Sequence, residues 1–207
     1  MSSRPVLRRK AAPASPTNPA RNASLPAWAA LCFLLSGAAG LLYEVVWSKE
    51  LSHLLGNSLF TISTVVAAFL CGLALGAWKL GAFLSKPGNG ARRYALLELG
   101  IAGFGLLSVP LLRAQLPGIG AVYQALGGGT VAFAAARFGI VFVLVLVPTL
   151  LMGATLPVLV DHFEHDRVGP ALARLYAINT AGAVAGSWLG GFALVPGLGL
   201  LATSWIA

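Results

Sequence analysis

The sequence predicts an all-α, polytopic transmembrane helical bundle, and three observations lead there. Hydrophobic types make up 57% of the 207 residues and charged types only 10%, against about 25% charged in an ordinary soluble domain. The apolar residues fall into five runs long enough to cross ~30 Å of hydrocarbon, followed by a shorter sixth. Most basic residues lie ahead of the first run or between runs, as the positive-inside rule distributes them. A water-soluble core of this size could not hide so much apolar surface, whereas lipid covers it directly.

Residues 1–26 are rich in Pro, Ala, Ser and Arg and lack apolar periodicity, so they read as a disordered cytoplasmic tail. Arg4, Arg8, Arg9, Lys10 and Arg21 sit in it with no acid among them. A cleaved signal peptide fits less well. The apolar run continues past the small residues at 36–40 through Leu41, Leu42, Val45 and Val46, and cleavage there would leave a hydrophobic stub. The Arg8-Arg9 pair lies too far from that run to make a twin-arginine signal. Asn22-Ala23-Ser24 is formally a glycosylation sequon but falls on the cytoplasmic side.

The first span covers 27–47, and its helix runs on to Leu55 before the C-cap pair Gly56-Asn57. The second covers 58–84. The basic, turn-rich segment 85–93 (SKPGNGARR) leads to a third span at 94–112. Residues 113–136 contain Pro117 and the glycines 127–129, and predict an external loop with an interfacial or re-entrant helix. The fourth span is 137–160, the polar stretch 161–170 is a loop, and the fifth span is 172–195. Pro196-Gly197 is expected to turn the chain into 197–207, an apolar piece that reaches only about 16 Å, half a bilayer. The chain therefore reads as part of something longer.

Counting Lys and Arg sets the orientation. With the N-terminus inside, the tail, the Lys86/Arg92/Arg93 loop and the Arg167/Arg174 loop are cytoplasmic, while Lys49, Arg113 and Arg137 lie at the outer interface. The expected location is the inner (plasma) membrane. The net charge of +8 does not signal nucleic acid, because no aromatic-basic interleaving accompanies it. Cys32 and Cys71 lie inside apolar runs, belong to no metal or redox spacing, and read as packing residues.

Polar residues inside the spans are the candidates for function, since hydrocarbon penalises them. Glu44 lies about one turn from the outer end of span one. Counting back by fours gives Gly40 and Ser36, which puts Glu44 on a small-residue stripe that packs against other helices. It serves either as a ligand or proton site or as a hydrogen-bonding pin. Glu98, near the cytoplasmic end of span three, and Lys79, near that of span two, are at similar depth, so an ion pair between them is expected; snorkelling of Lys79 is the competing outcome. Gly72 and Gly76 form a GxxxG face in span two. Asn179, Gly182, Gly186 and Gly190 form one face of span five, where close packing lets Asn179 bond across the contact. Pro148 and Pro157 are expected to kink span four and free carbonyls, as in the broken helices of transporters.

Other chemistry is absent from the pattern. The segment Asp161-His162-Phe163-Glu164-His165-Asp166 matches no catalytic zinc spacing, and Gly127-Gly128-Gly129-Thr130 lacks the Lys of a nucleotide loop. No metal site, cofactor or catalytic constellation is expected.

Three segments together resemble a known family: 35–51 (LSGAAGLLYEVVWSKEL), 148–160 (PTLLMGATLPVLV) and 175–186 (LYAINTAGAVAG). They look like the membrane portion of the bacterial spermidine-synthase-like proteins, in which a major-facilitator-like region is fused to spermidine synthase. The resemblance implies a longer parent with a soluble aminopropyltransferase-like domain. The glycine-rich nucleotide segment and catalytic aspartates of that domain have no counterpart in these residues, so no catalytic role transfers. Tyr43, Glu44, Trp47, Asn179 and the neighbouring glycines match the family's membrane motifs. Three functions stay open: a membrane module that anchors or feeds an aminopropyltransferase-like domain; half of a transporter for small solutes such as polyamines or other cations; and a scaffold whose glycine stripes bind partner helices. The lipid bilayer is the one partner common to all three.

Overall fold

In hydrocarbon every backbone N–H and C=O must be bonded within its own segment, so long uncharged runs of Leu, Val, Ala and Phe fold as helices. The structure is a computed structural model that describes residues 26–55, 59–86, 88–114, 116–126, 130–163 and 168–207, and all its regular elements are helical. In order these are α1 (Ala27–Leu55), α2 (Leu59–Leu75), a π-helical stretch at Gly76–Gly81 with a final turn at Ala82–Leu84, α3 (Gly90–Ala114), α4 (Leu116–Leu126), α5 (Val131–Phe163), α6 (Val168–Leu189), a second π-helical stretch at Gly190–Leu194, and α7 (Val195–Ile206). Five segments are long and apolar enough to cross a membrane: Ala27–Ser52, Leu59–Leu84, Gly90–Ala114, Val131–Val160 and Leu172–Ile206. The basic tail at 1–25, the C-cap pair Gly56-Asn57, the glycines 127–129 and residues 164–167 of the acidic segment lie outside the described residues.

Some boundaries depart from the periodicity. The fourth span begins at Val131, six residues earlier than expected, because Val131 to Ala136 are good enough helix formers to extend it. The segment before it holds an 11-residue helix, α4, which is too short to cross the bilayer at 1.5 Å per residue. Helix α5 stays unbroken through Pro148 and Pro157. Thr149 bonds back to the carbonyls of Val145 and Leu146 at 2.8 and 3.0 Å, just after Pro148 has removed a donor from this turn. At the end of the chain, Pro196-Gly197 does not turn. The proline sits at the head of α7, directly after the π-helical stretch, and the backbone stays helical through it. The break falls at Gly199, whose φ of 80° suits a residue without a β-carbon. Leu200, Thr203 and Ser204 beyond it are buried, and α7 packs on α1 and α3.

Two tight helix pairs organise the bundle, α1 with α6 and α2 with α5. A β-carbon on Gly182 would overlap the Leu34 carbonyl oxygen, and one on Gly186 the carbonyl of Ala38. Gly190 meets Leu42 and Val45 at 3.5–3.8 Å. Contacts that climb together along both helices make α1 and α6 parallel. On the other pair, Gly72 faces Thr149, Gly76 faces Leu150 and Gly81 faces Pro157, so α2 and α5 are also parallel. Removing side chains from these contacts lets backbones approach and gain dispersion contact, which replaces the missing hydrophobic drive between helices in lipid. Hydroxyls in the core bond to carbonyls of their own helices, as Thr64 does to Phe60, Ser108 to Gly105 and Thr203 to Gly199. Large apolar side chains such as Leu70, Phe83, Val184, Trp188 and Phe192 face outward, as lipid contact requires.

Candidate functional site

Several polar residues of the spans meet between α1 and α3. Near the start of the bundle, Ser36 Oγ donates to Glu98 Oε1 at 2.7 Å, which ties α1 to α3. Tyr94, one turn earlier on α3, is buried beside this contact. Further along the same pair, the Tyr43 ring fills the space left by Gly105, stacks on Trp47 at 5.6 Å, and Trp47 meets Phe104 edge-on at 6.1 Å. At the far end Arg113 grips Glu50 with two bonds, Nε to Oε1 at 2.6 Å and a terminal guanidinium nitrogen to Oε2 at 3.2 Å. The three contacts ascend together, so α1 and α3 are parallel and present their last turns to the same membrane face.

Ser36 also borders a cavity of about 230 Å³ between α1, α2, α5 and α6. Its walls include Phe33, Gly40, Phe69, Met152, Tyr176 and Asn179. Gly37 lets Asn179 in: a β-carbon there would overlap the backbone oxygen of Asn179 and come within 2.7 Å of its side-chain oxygen. Gly40 has Met152 Sδ as its nearest neighbour, at 3.7 Å, so it borders open space instead of a backbone.

The expected residues are thus distributed unevenly. Glu98 is bonded, but to Ser36 and not to Lys79. Lys79 is exposed, with Nζ 4.0 Å from the centre of the Trp78 ring. The reason is the π-helical stretch at Gly76–Gly81, whose wider turn shifts later residues around the axis. Gly81, five residues after Gly76, takes the packing position and Lys79 swings away. Glu44 is half-buried, and no hydrogen bond to it is found among the described residues. It does not border the cavity. The stripe Ser36–Gly40–Glu44 therefore splits: Ser36 and Gly40 face the cavity, while the contact with α6 uses Leu34, Gly37 and Ala38. Asn179 borders the cavity from α6.

Sequence reasoning missed Gly37, Gly105 and the Glu50–Arg113 pair. The last was accessible: Glu50 and Arg113 close two spans that run in the same direction, so their depths match. Arg93 has a role besides its charge, because its guanidinium donates to the carbonyl of Leu84 at 2.9 Å and also to that of Lys86. It thereby closes the loop between α2 and α3 by satisfying carbonyls at a helix end. Among the described residues no group of three or more His, Cys, Asp or Glu side chains converges.

Comparison with known proteins points in one direction. No family model and no solved structure matches the chain. Polyamine aminopropyltransferase 2 of Ralstonia nicotianae is 26% identical over 179 residues, which cover 85% of this chain and 32% of that protein. Polyamine aminopropyltransferase 1 of the same organism is 27% identical over 179 residues, covering 85% and 31%. The chain is therefore distantly similar to polyamine aminopropyltransferases and spans about a third of the length of these relatives. Residues matched over 85% of the chain necessarily include most of its membrane helices.

Proposed function

We propose that this chain is the membrane module of a polyamine-aminopropyltransferase-like protein, held in the inner membrane with its N-terminus in the cytoplasm and serving to anchor or feed a soluble catalytic domain. The observation that carries this reading is the likeness to two aminopropyltransferases along a stretch made of membrane-spanning helices. The orientation is supported by charge. The loop with Lys86, Arg92 and Arg93 and the start of α6 with Arg174 fall on the side where α1 begins, and positive loops stay in the cytoplasm.

The test compares the natural gene product with a version that lacks residues 27–207. The intact protein should sediment with membranes and carry aminopropyl-transfer activity. The deletion should move that activity to the soluble fraction or lower its rate. A deletion protein that still sediments with membranes, or an intact protein that transfers no aminopropyl group, refutes the proposal. One observation favours a second reading, a small-solute transport unit: the cavity near the middle of the bundle. In that reading Gly40→Leu, which fills the cavity beside Met152, abolishes solute transport in vesicles while leaving insertion intact, and unchanged transport in that variant refutes it.

A further inference from the structure

The walls of the 230 Å³ cavity offer several hydrogen-bond acceptors and no cationic side chain. Three hydroxyls belong to residues that line it, and those of Ser36 and Thr155 have spent their hydrogens elsewhere. Ser36 Oγ donates to Glu98 Oε1 at 2.7 Å, and Thr155 Oγ1 donates to the carbonyl of Met152 at 2.7 Å. Whatever these oxygens offer an occupant is a lone pair, since a hydroxyl has one hydrogen to give. The Asn179 carboxamide adds a further acceptor oxygen along with its two N–H donors. No Lys or Arg lines the space, and the aromatic residues Phe33, Phe69 and Tyr176 are among those that do. Aromatic faces carry the negative end of a quadrupole and attract cations. Behind Ser36, one hydrogen bond away, stands the carboxyl group of Glu98.

An occupant that donates hydrogen bonds, carries positive charge and is otherwise apolar therefore fits the lining. Size narrows it further. At ~30 Å³ for each water-sized unit, the space holds roughly seven or eight of them. Depth adds a last constraint. Ser36 is nine residues into α1 from Ala27, about 14 Å along the helix at 1.5 Å per residue and so inside ~30 Å of hydrocarbon. Water at that depth is scarce, so a cation that enters needs the acceptors the protein supplies.

We propose that this cavity binds a small primary alkylammonium ion, with its N–H groups toward Ser36 and Asn179 and its carbon chain among Phe33, Phe69 and Leu73. Glu98 acts as a positioning residue: it holds the Ser36 hydrogen away from the cavity and supplies negative potential behind it. This site does not depend on the chain's being part of an aminopropyltransferase, and either idea can fail without the other.

The experiment uses the full chain in nanodiscs of zwitterionic lipid, with n-pentylammonium chloride as the probe, 1-pentanol as its uncharged counterpart, and empty nanodiscs as the control. The ammonium should bind saturably at one site per chain, and the alcohol at least tenfold more weakly. Glu98→Gln should weaken ammonium binding tenfold or more while leaving the weak alcohol binding unchanged, a split that a merely structural role would not produce. Gly40→Leu, which grows into the space beside Met152, should abolish binding with helix content and elution volume preserved. Equal affinity for alcohol and ammonium, binding matched by empty discs, or full binding by folded Gly40→Leu protein each overturn the proposal. Should Gly40→Leu fail to fold, the comparison of ammonium with alcohol on the unaltered chain decides.

Discussion

Replacing Arg113 by alanine should destabilise the bundle more than neutralising its partner, and the structure says by how much. Glu50 is 3% exposed, whereas the Arg113 side chain is 50% exposed. The two bonds between them are charge-assisted and bidentate, a geometry stronger than a simple ion pair. Arg113→Ala leaves a buried carboxylate with neither bond. An orphaned buried charge in a broken pair costs ~3–5 kcal/mol, but partial exposure of the pair through Arg113 lowers this, since exposed pairs are worth only ~0–1 kcal/mol. A loss of about 2–3 kcal/mol lies between these limits. Glu50→Gln keeps the shape and leaves the guanidinium free to turn to water, so about 1 kcal/mol is expected. The double variant has no buried charge and should be more stable than Arg113→Ala alone, giving a coupling energy of about 1–2 kcal/mol. Reversible unfolding of the micelle-embedded chain by dodecyl sulfate, followed through the fluorescence of its five tryptophans, measures all four proteins. If Arg113→Ala stays within about 0.5 kcal/mol of the unaltered chain, or the two changes simply add, the pair does not hold α1 to α3.

Two further outcomes follow from the packing. Gly182→Ala drives a methyl into the Leu34 carbonyl, while Gly103→Ala meets nothing within 4 Å. The first should lower stability by about 1–3 kcal/mol and the second raise it by up to about 1 kcal/mol. Thermal denaturation in detergent gives the order, and equal effects would show that α1 and α6 are not in backbone contact. Lys79→Gln should stay within about 0.5 kcal/mol, because Lys79 does not reach Glu98. Ser36→Ala should cost about 1–2 kcal/mol through the lost bond to the carboxyl group. The reverse order in the same denaturation experiment would restore the Lys79–Glu98 pair.

Glu98 shows how far a one-dimensional reading reaches. Its placement inside a span, and hence its need for a partner, could be read from the chain. The choice of Ser36 over Lys79 could not, because it turns on a π-helical stretch of six residues that rotates one helix face. The glycine faces of α2 and α6 were legible for the same reason in reverse: Gly72 with Gly76, and Gly182 with Gly186, keep α-helical spacing and sit where that spacing puts them. On α1 the spacing of fours selected Ser36, Gly40 and Glu44, yet the contact with α6 runs through Gly37. Small residues are so dense between 36 and 40 that several faces qualify. The cavity was invisible, since its walls come from four helices and only their rotation brings Ser36 and Asn179 to the same space.

The amino-acid order by itself determined that this chain forms helices long and apolar enough to cross a membrane and that several of them carry small residues at helical spacing. Those properties follow from local composition, because hydrocarbon demands that each segment bond its own backbone. Only the tertiary structure decided which spans pair, that Glu50 meets Arg113, that the helix breaks at Gly199 and not at Pro196, and that a cavity remains beside Ser36. These depend on how far each helix is rotated and how closely it approaches its neighbours, quantities summed over many small van der Waals contacts and written in no single stretch of sequence.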